Sequence, residues 1–146
     1  MKARDYLSQL SSLKEDIRRT EERIREVNAL LTSPGAVRYD KVNVQTSPEN
    51  IMENTIVRKI AAVQKLEDLK SAYQEKYIRI MTQIDGIEDV KLRRILKYRY
   101  VDGKSVSYIS RHMHYSIDWT WKLLSLAHKA FEIKYPGILK TTENHQ

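Results

Sequence analysis

The chain lacks cysteine, has few helix-breaking residues and contains no long apolar run. Its 146 residues include only four glycines and three prolines. Without cysteine there is no disulfide framework, thiolate ligand or thiol nucleophile, which fits a reducing cytoplasm. Since no stretch of about 18 apolar residues occurs, we expect no membrane-spanning helix. The scarcity of glycine and proline, with 31% charged residues, indicates an all-α, partly coiled-coil protein.

The sequence also lacks the patterns that mark an active site. It has no glycine-rich phosphate loop, no nucleophile motif and no cluster of metal-ligand residues. His112 and His114 form a His-x-His pair, but no third type of ligand lies near them. We therefore expect no enzyme activity, no cofactor and no metal site.

The first feature that the sequence does contain is a pattern that predicts two long amphipathic helices. Apolar residues recur at spacings of three and four over residues 3–32, with Thr20 as the polar break, in a heptad pattern. Ser47-Pro48 supplies an N-cap and a first-turn proline for a second helix that runs to about residue 84. Each helix has a single apolar stripe, so an antiparallel hairpin would leave apolar surface for another copy. Residues 1–84 are predicted to be a coiled-coil region that forms a homo-dimer or a higher homo-oligomer.

Two segments outside these helices are predicted to be irregular. Residues 33–50 form a long connection, in which the alternation at Val42–Thr46 fits a short strand. Because compact domains rarely keep so long a loop, we expect it to be mobile or packed against a second subunit. At the other end, Pro136-Gly137 is predicted to end the ordered chain, which leaves residues 136–146 as a flexible tail.

Residues 85–135 carry a helix-turn-helix pattern. Gly103 suits the left-handed end of one helix, and Ser105 is a candidate N-cap for the next. His114 occupies the following turn, where glycine is the usual choice and histidine is tolerated, and Ser116 is a candidate N-cap for a third helix. The pattern predicts a helix-turn-helix domain with DNA-binding character.

The net charge lies in the same region as this pattern. Residues 91–134 contain ten Lys or Arg and three acids, a net charge of +7 that equals the net charge of the whole chain. Because a basic surface and a helix-turn-helix pattern coincide, we expect double-stranded DNA as the partner.

The helix after Ser116 is predicted to be the recognition helix, which would lie in the major groove. With Thr120, Leu124 and Phe131 facing inward, the opposite side carries Lys122, which can donate to guanine or phosphate. Asp118 on that side can accept from cytosine or only complement the helix dipole. One of the two flanking tryptophans is expected to pack against the preceding helix. The predicted DNA-binding residues are Lys104, Ser105, Arg111, Tyr115, Ser116, Ile117, Asp118, Trp119, Trp121, Lys122, Ser125 and Lys129.

Residues 90–132 resemble the last DNA-binding domain of bacterial sigma factors, which binds the −35 promoter element. Ser110 stands where that family has alanine, and His114 stands where it has glycine. The matching residues are Ile95-Leu96, Arg99-Tyr100, Gly103, Ser105, Ile109-Ser110, Met113-His114, Ser116 and Ala127.

The whole chain is similar to small late transcription regulators of the autolysin-regulator type, from phages and prophages of Gram-positive bacteria. The similarity rests on Val44-Gln45-Thr46-Ser47, Arg99-Tyr100 and Met113-His114-Tyr115-Ser116. It implies an oligomeric activator that binds specific DNA in the bacterial cytoplasm and switches on late or transfer genes. Two alternatives stay open: a DNA-packaging protein such as a small terminase subunit, and an adaptor that contacts RNA polymerase.

Overall fold

The protein is all-α over the residues that its computed structural model describes, 1–32 and 48–143. The helices are α1 (Ala3–Thr32), α2 (Pro48–Asp85), α3 (Val90–Leu96), α4 (Val106–Met113), α5 (Ile117–Lys134) and α6 (Pro136–Glu143), with a π-helical turn at Lys97–Val101. None of these helices is long and apolar enough to cross a membrane. The predicted all-α class is confirmed for these residues.

The bounds of the two long helices agree with the sequence pattern. The heptad pattern predicted the first helix over residues 3–32, which is the span of α1. The second helix begins at the proline of Ser47-Pro48 and ends at Asp85, one residue beyond the predicted end. The connection between them, with the strand predicted at Val42–Thr46, lies outside the described residues.

The chain divides into two compact units, and each of the two long helices is shared between them. One unit comprises Met1–Lys14 and Glu75–Gln146, and the other comprises Glu15–Gln74. The sequence predicts one domain boundary after residue 84 and a second after residue 135. The structure instead assigns the first turns of α1 and the last turns of α2 to the same unit as α3–α6, which we call the C-terminal unit.

Apolar residues from both long helices explain this assignment, because they complete the core of the C-terminal unit. The Tyr6 ring centroid lies 5.8 Å from that of Phe131. The Tyr6 hydroxyl also donates a 2.6 Å hydrogen bond to Oε1 of Gln83. The side chains that are completely buried in this unit include Leu7, Leu10, Ile80, Ile84, Ile95, Leu96 and Phe131.

A glycine, Gly86, follows the last residue of α2 and lies close to Tyr135. The Tyr135 hydroxyl donates a 2.8 Å hydrogen bond to the carbonyl oxygen of Gln83. A Cβ atom at Gly86 would overlap that hydroxyl, so a side chain at this position would push the end of the Tyr135 side chain away from Gln83. Asp89 then caps α3 by accepting hydrogen bonds from the backbone N–H groups of Lys91 and Leu92 at 2.9 and 3.2 Å.

Over residues 136–143 the structure corrects the expectation of a flexible tail, and residues 144–146 lie outside the described residues. Residues Pro136–Glu143 form α6, and the side chain of Leu139 is buried. Proline fits the first position of a helix, because its missing N–H would have no partner there. The burial of Leu139 supplies the tertiary contact that a short helix needs to be stable.

Candidate nucleic-acid interface

The backbone between α3 and α4 turns sharply at Gly103. The N–H of Asp102 donates to the carbonyl of Lys97 at 2.9 Å, which closes the π-helical turn. Gly103 then adopts φ +66°, a conformation that suits glycine. The Nη1 group of Arg99 donates to the carbonyl of Lys104 at 3.1 Å and fixes the start of the next segment. The predicted left-handed glycine is confirmed.

The ends of α4 are formed by the two residues that the sequence indicated. The hydroxyl of Ser105 accepts a 3.2 Å hydrogen bond from the N–H of Tyr108, as expected of an N-cap. His114 ends the helix at φ 59° and ψ 43°, in the left-handed region. The N–H of Tyr115 donates to the carbonyl of Ser110 at 2.9 Å, which is the six-residue bond of a Schellman motif.

Ser110, a small residue of α4, is buried, and its hydroxyl group has a hydrogen-bond partner. The side chain of Ser110 is only 4% exposed, and its hydroxyl donates a 2.8 Å hydrogen bond to the carbonyl of Ser107. This serine is therefore buried without leaving its hydroxyl unpaired. Val106 and Ile109 of the same helix are also buried.

Helix α5 begins at Ser116 and turns one apolar face inward. The Ser116 hydroxyl accepts a 3.1 Å hydrogen bond from the N–H of Trp119. The Thr120 hydroxyl donates to the Ser116 carbonyl at 2.8 Å, so this buried polar side chain is also satisfied. The predicted inward face is confirmed, because Thr120, Leu123, Leu124, Ala127 and Phe131 are all buried.

Four polar residues form the opposite face of α5, which we call the outward face. Asp118, Lys122, Ser125 and Lys129 follow one another at helical spacing, and all four are exposed. The expectation that one tryptophan packs against the preceding helix needs correction. Trp119 and Trp121 remain 45% and 50% exposed, because they flank the outward face and the inward positions are filled by smaller side chains.

The remaining predicted residues lie at the start of α5 or on α4. Ile117 is 51% exposed in the first turn of α5, and Tyr115 is half-buried in the preceding turn. Arg111 is exposed on α4, where its Nε donates to the carbonyl of Ser107 at 3.3 Å. The hydroxyls of Ser105 and Ser116 accept backbone bonds as caps, so their first role is structural.

A row of aromatic residues on α4 was missed by the sequence analysis. Nζ of Lys104 lies 4.8 Å from the centroid of the Tyr108 ring. That ring stacks on His112, with 3.9 Å between centroids. The signal was the spacing of four residues between Tyr108 and His112, which places them on one face of a helix. The contact with Tyr108 orders the ammonium group of Lys104 at the start of α4.

A second missed pair lies where α5 approaches the π-helical turn. The hydroxyl of Tyr100 and Nε2 of His128 share a 2.5 Å hydrogen bond. Burial raises the pKa of Tyr100 to about 12. Burial also lowers the pKa of His128, against the opposing charge of Glu132. Both side chains are therefore uncharged at neutral pH.

Comparison with known proteins adds no further information. No family model, curated protein or solved structure matches the chain. Within residues 1–32 and 48–143, no group of three or more His, Asp or Glu side chains is placed to hold a metal ion. The geometry and charge of α4 and α5 are therefore the features that indicate a function.

Proposed function

We propose that this protein is a transcription regulator that binds duplex DNA through α4, the turn at His114 and α5. The outward face of α5 carries this proposal. Its polar side chains are exposed on one side of a helix whose other side is buried, so the helix is firmly held and its polar face is accessible. A helix presented in this way fits the major groove of B-DNA.

The side chains of the outward face match the chemistry of base edges and phosphates. Lys122 lies early in the helix and would donate to O6 or N7 of guanine or to a phosphate. Asp118, one turn before it, would accept from the exocyclic amine of cytosine. Lys129 lies two turns beyond Lys122, where we assign it a phosphate contact.

Helix α4 and the turns at its ends would position the protein on the sugar-phosphate backbone. Arg111 is exposed, and the ammonium group of Lys104 is ordered by Tyr108. Both cations belong to the segment that carries the whole net charge of +7. Contacts of this kind supply affinity that depends on salt, whereas α5 would supply specificity.

Exposed apolar residues on α2 support an oligomer. In the unit Glu15–Gln74, Ile56, Val57 and Ile60 remain 43%, 59% and 56% exposed. Ile56 and Ile60 are one helical turn apart, and Val57 lies beside them. We propose that α1 and α2 of one chain form an antiparallel hairpin that leaves this patch accessible. A second copy of the chain would then cover the patch. Two linked DNA-binding units would convert two weak contacts into one strong one.

We assign the protein the role of an activator of phage or mobile-element genes rather than that of an enzyme. The resemblance of residues 90–132 to sigma-factor domains supports a site close to a promoter. Activation would also require contact with RNA polymerase. A packaging protein would share the DNA-binding surface but would not change transcription, so a functional assay separates the two roles.

The DNA-binding proposal is tested by footprinting the full-length protein across the genomic region that encodes it. We expect one protected site, and for a dimer two half-sites separated by about 34 Å or a multiple of it. A reporter gene driven by the protected promoter should respond to the protein. Protection without a change in reporter output would favour packaging, and no protected site would contradict DNA binding.

The oligomer is tested by light scattering on the full chain. We expect a mass of at least two chains for the wild type, and a fall towards one chain for Ile60→Glu, which buries a charge in the interface. Lys65→Glu provides the control, because it introduces the same side chain at an exposed position on another side of α2. A monomeric wild-type protein at micromolar concentration would contradict the oligomer.

A further inference from the structure

A cleft lies beside the outward face of α5, within the C-terminal unit. Its volume is about 510 Å³, which falls in the range of pockets that bind small molecules. One wall comes from the first turns of α1 and the other from α5 and the π-helical turn.

The lining of the cleft is basic. Arg4 and Arg99 contribute guanidinium groups, and no Asp or Glu is among the residues that line it. Arg99 is held in place because its Nη1 donates to the carbonyl of Lys104 at 3.1 Å. A guanidinium group has five N–H donors in a fixed plane, so this one bond orients the group and leaves other donors for an oxyanion.

Hydroxyl groups line the side formed by α1. The Ser8 hydroxyl donates to the carbonyl of Arg4 at 2.6 Å, and the Ser11 hydroxyl donates to the carbonyl of Ser8 at 3.2 Å. With their protons used in this way, both oxygens present lone pairs. They are therefore suited to accept hydrogen bonds from the hydroxyl groups of a ligand, such as those of a sugar.

An aromatic ring faces the cleft from α5. Trp121 lines it and is 50% exposed. A half-exposed indole offers a flat surface on which a planar ring can stack, and stacking of this kind tolerates different bases. Tyr100 and His128 line the same cleft as an uncharged, hydrogen-bonded pair, so they add no negative charge.

We propose that this cleft binds a small molecule that joins a phosphate group to a planar ring, with a mononucleotide as the simplest example. The phosphate would lie between Arg4 and Arg99, the sugar hydroxyls would meet Ser8 and Ser11, and the base would stack on Trp121. Trp121 also flanks the outward face, so a ligand bound here would alter the surface that we propose contacts DNA.

The two tryptophans of the chain allow a direct test. Both lie on α5, but Trp119 is not among the residues that line the cleft. The variant Trp119→Phe therefore retains Trp121 as its only indole. We expect adenosine monophosphate to quench its fluorescence saturably, whereas Trp121→Phe should show no saturable quenching. Isothermal titration of the wild-type protein with the same nucleotide gives an independent measure of binding. These titrations contain no DNA. A negative result would therefore contradict nucleotide binding without bearing on the DNA-binding proposal.

The roles of the phosphate and of the ring are tested separately, with compounds that contain only one of them. Adenosine lacks the phosphate and inorganic phosphate lacks the ring, so each should bind at least about tenfold more weakly than the nucleotide. Arg4→Ala should weaken nucleotide binding to a similar extent, while Arg25→Ala, an exposed arginine of α1 outside the cleft, should leave it unchanged. Equal affinity for phosphate alone would overturn the role of the ring. No binding at millimolar nucleotide would overturn the proposal.

Discussion

Truncation of Leu10 tests whether the start of α1 is part of the core of the C-terminal unit. Leu10 is completely buried, and it lies in the part of α1 that belongs to this unit. Replacement of a fully buried leucine by alanine removes apolar contacts and leaves a cavity, which lowers the free energy of unfolding by about 2–5 kcal/mol. We therefore expect Leu10→Ala to destabilise the C-terminal unit by that amount, although Leu10 lies far in sequence from α3–α6.

Urea unfolding followed by tryptophan fluorescence measures this effect, because both tryptophans lie in the C-terminal unit. Leu30→Ala is the matched control, since it is the same change on the same helix at a position that is 54% exposed. The control should alter the free energy of unfolding by no more than about 0.5 kcal/mol. Equal effects of the two substitutions, at one protein concentration, would refute the packing of α1 into this unit.

Three further predictions concern Gly86 after α2, the N-cap of α5 and the half-buried His128. Gly86→Ala should lower the free energy of unfolding by about 0.5–1.5 kcal/mol, because the new methyl group would displace the Tyr135 hydroxyl from its hydrogen bond to the Gln83 carbonyl; a neutral or stabilising effect in urea unfolding would contradict this. Ser116→Ala should lower the free energy of unfolding by about 1 kcal/mol through loss of the N-cap. Ser125→Ala, at an exposed position on the same helix, should change it little, and equal losses for the two variants would argue against the cap. Burial lowers the pKa of His128 in the folded protein below the unfolded value of 6.5, so the unfolded state takes up the proton first as the pH falls. Stability should therefore be greatest above about pH 6.5 and decrease below it, and His128→Gln should reduce this decrease; an unchanged pH profile would refute the assignment.

The features that the sequence predicted well are those set by local backbone chemistry. Gly103 and His114 adopt the left-handed conformations expected at those positions, and Ser105 and Ser116 cap the helices that follow them. Each of these depends on a few neighbouring residues. The inward face of α5 was also predicted, because helical periodicity alone fixes which residues share a side.

The features that the sequence did not predict depend on contacts between distant segments. Leu7 lies outside the heptad positions of α1 but is completely buried, because the first turns of this helix pack within the C-terminal unit as well as along the heptad stripe. The contact of Tyr6 with Phe131 joins residues that no local pattern connects. Pro136 was interpreted as a stop signal, although it also fits the first turn of a helix that Leu139 anchors.

Exposure of Trp119 and Trp121 has the same kind of cause. From the sequence, one of these two tryptophans was expected to pack against the preceding helix. The inward positions of α5 are instead filled by Thr120, Leu123 and Leu124, which leaves both indoles at the surface. The cleft beside Trp121 could not be predicted, because it forms only when α1 meets α5.

The most direct test of the central claim is the salt dependence of DNA binding by Lys122→Ala. Fluorescence anisotropy with the footprinted site and with a scrambled duplex compares this variant with the wild type and with Lys65→Ala, an exposed lysine of α2. If Lys122 bonds a base edge, the variant should lose about 1–3 kcal/mol on the specific site and less on the scrambled duplex. If it contacts only phosphate, both duplexes should lose affinity equally and the salt slope should fall by about one. Wild-type affinity for the specific site in Lys122→Ala would contradict the claim that the outward face of α5 binds DNA.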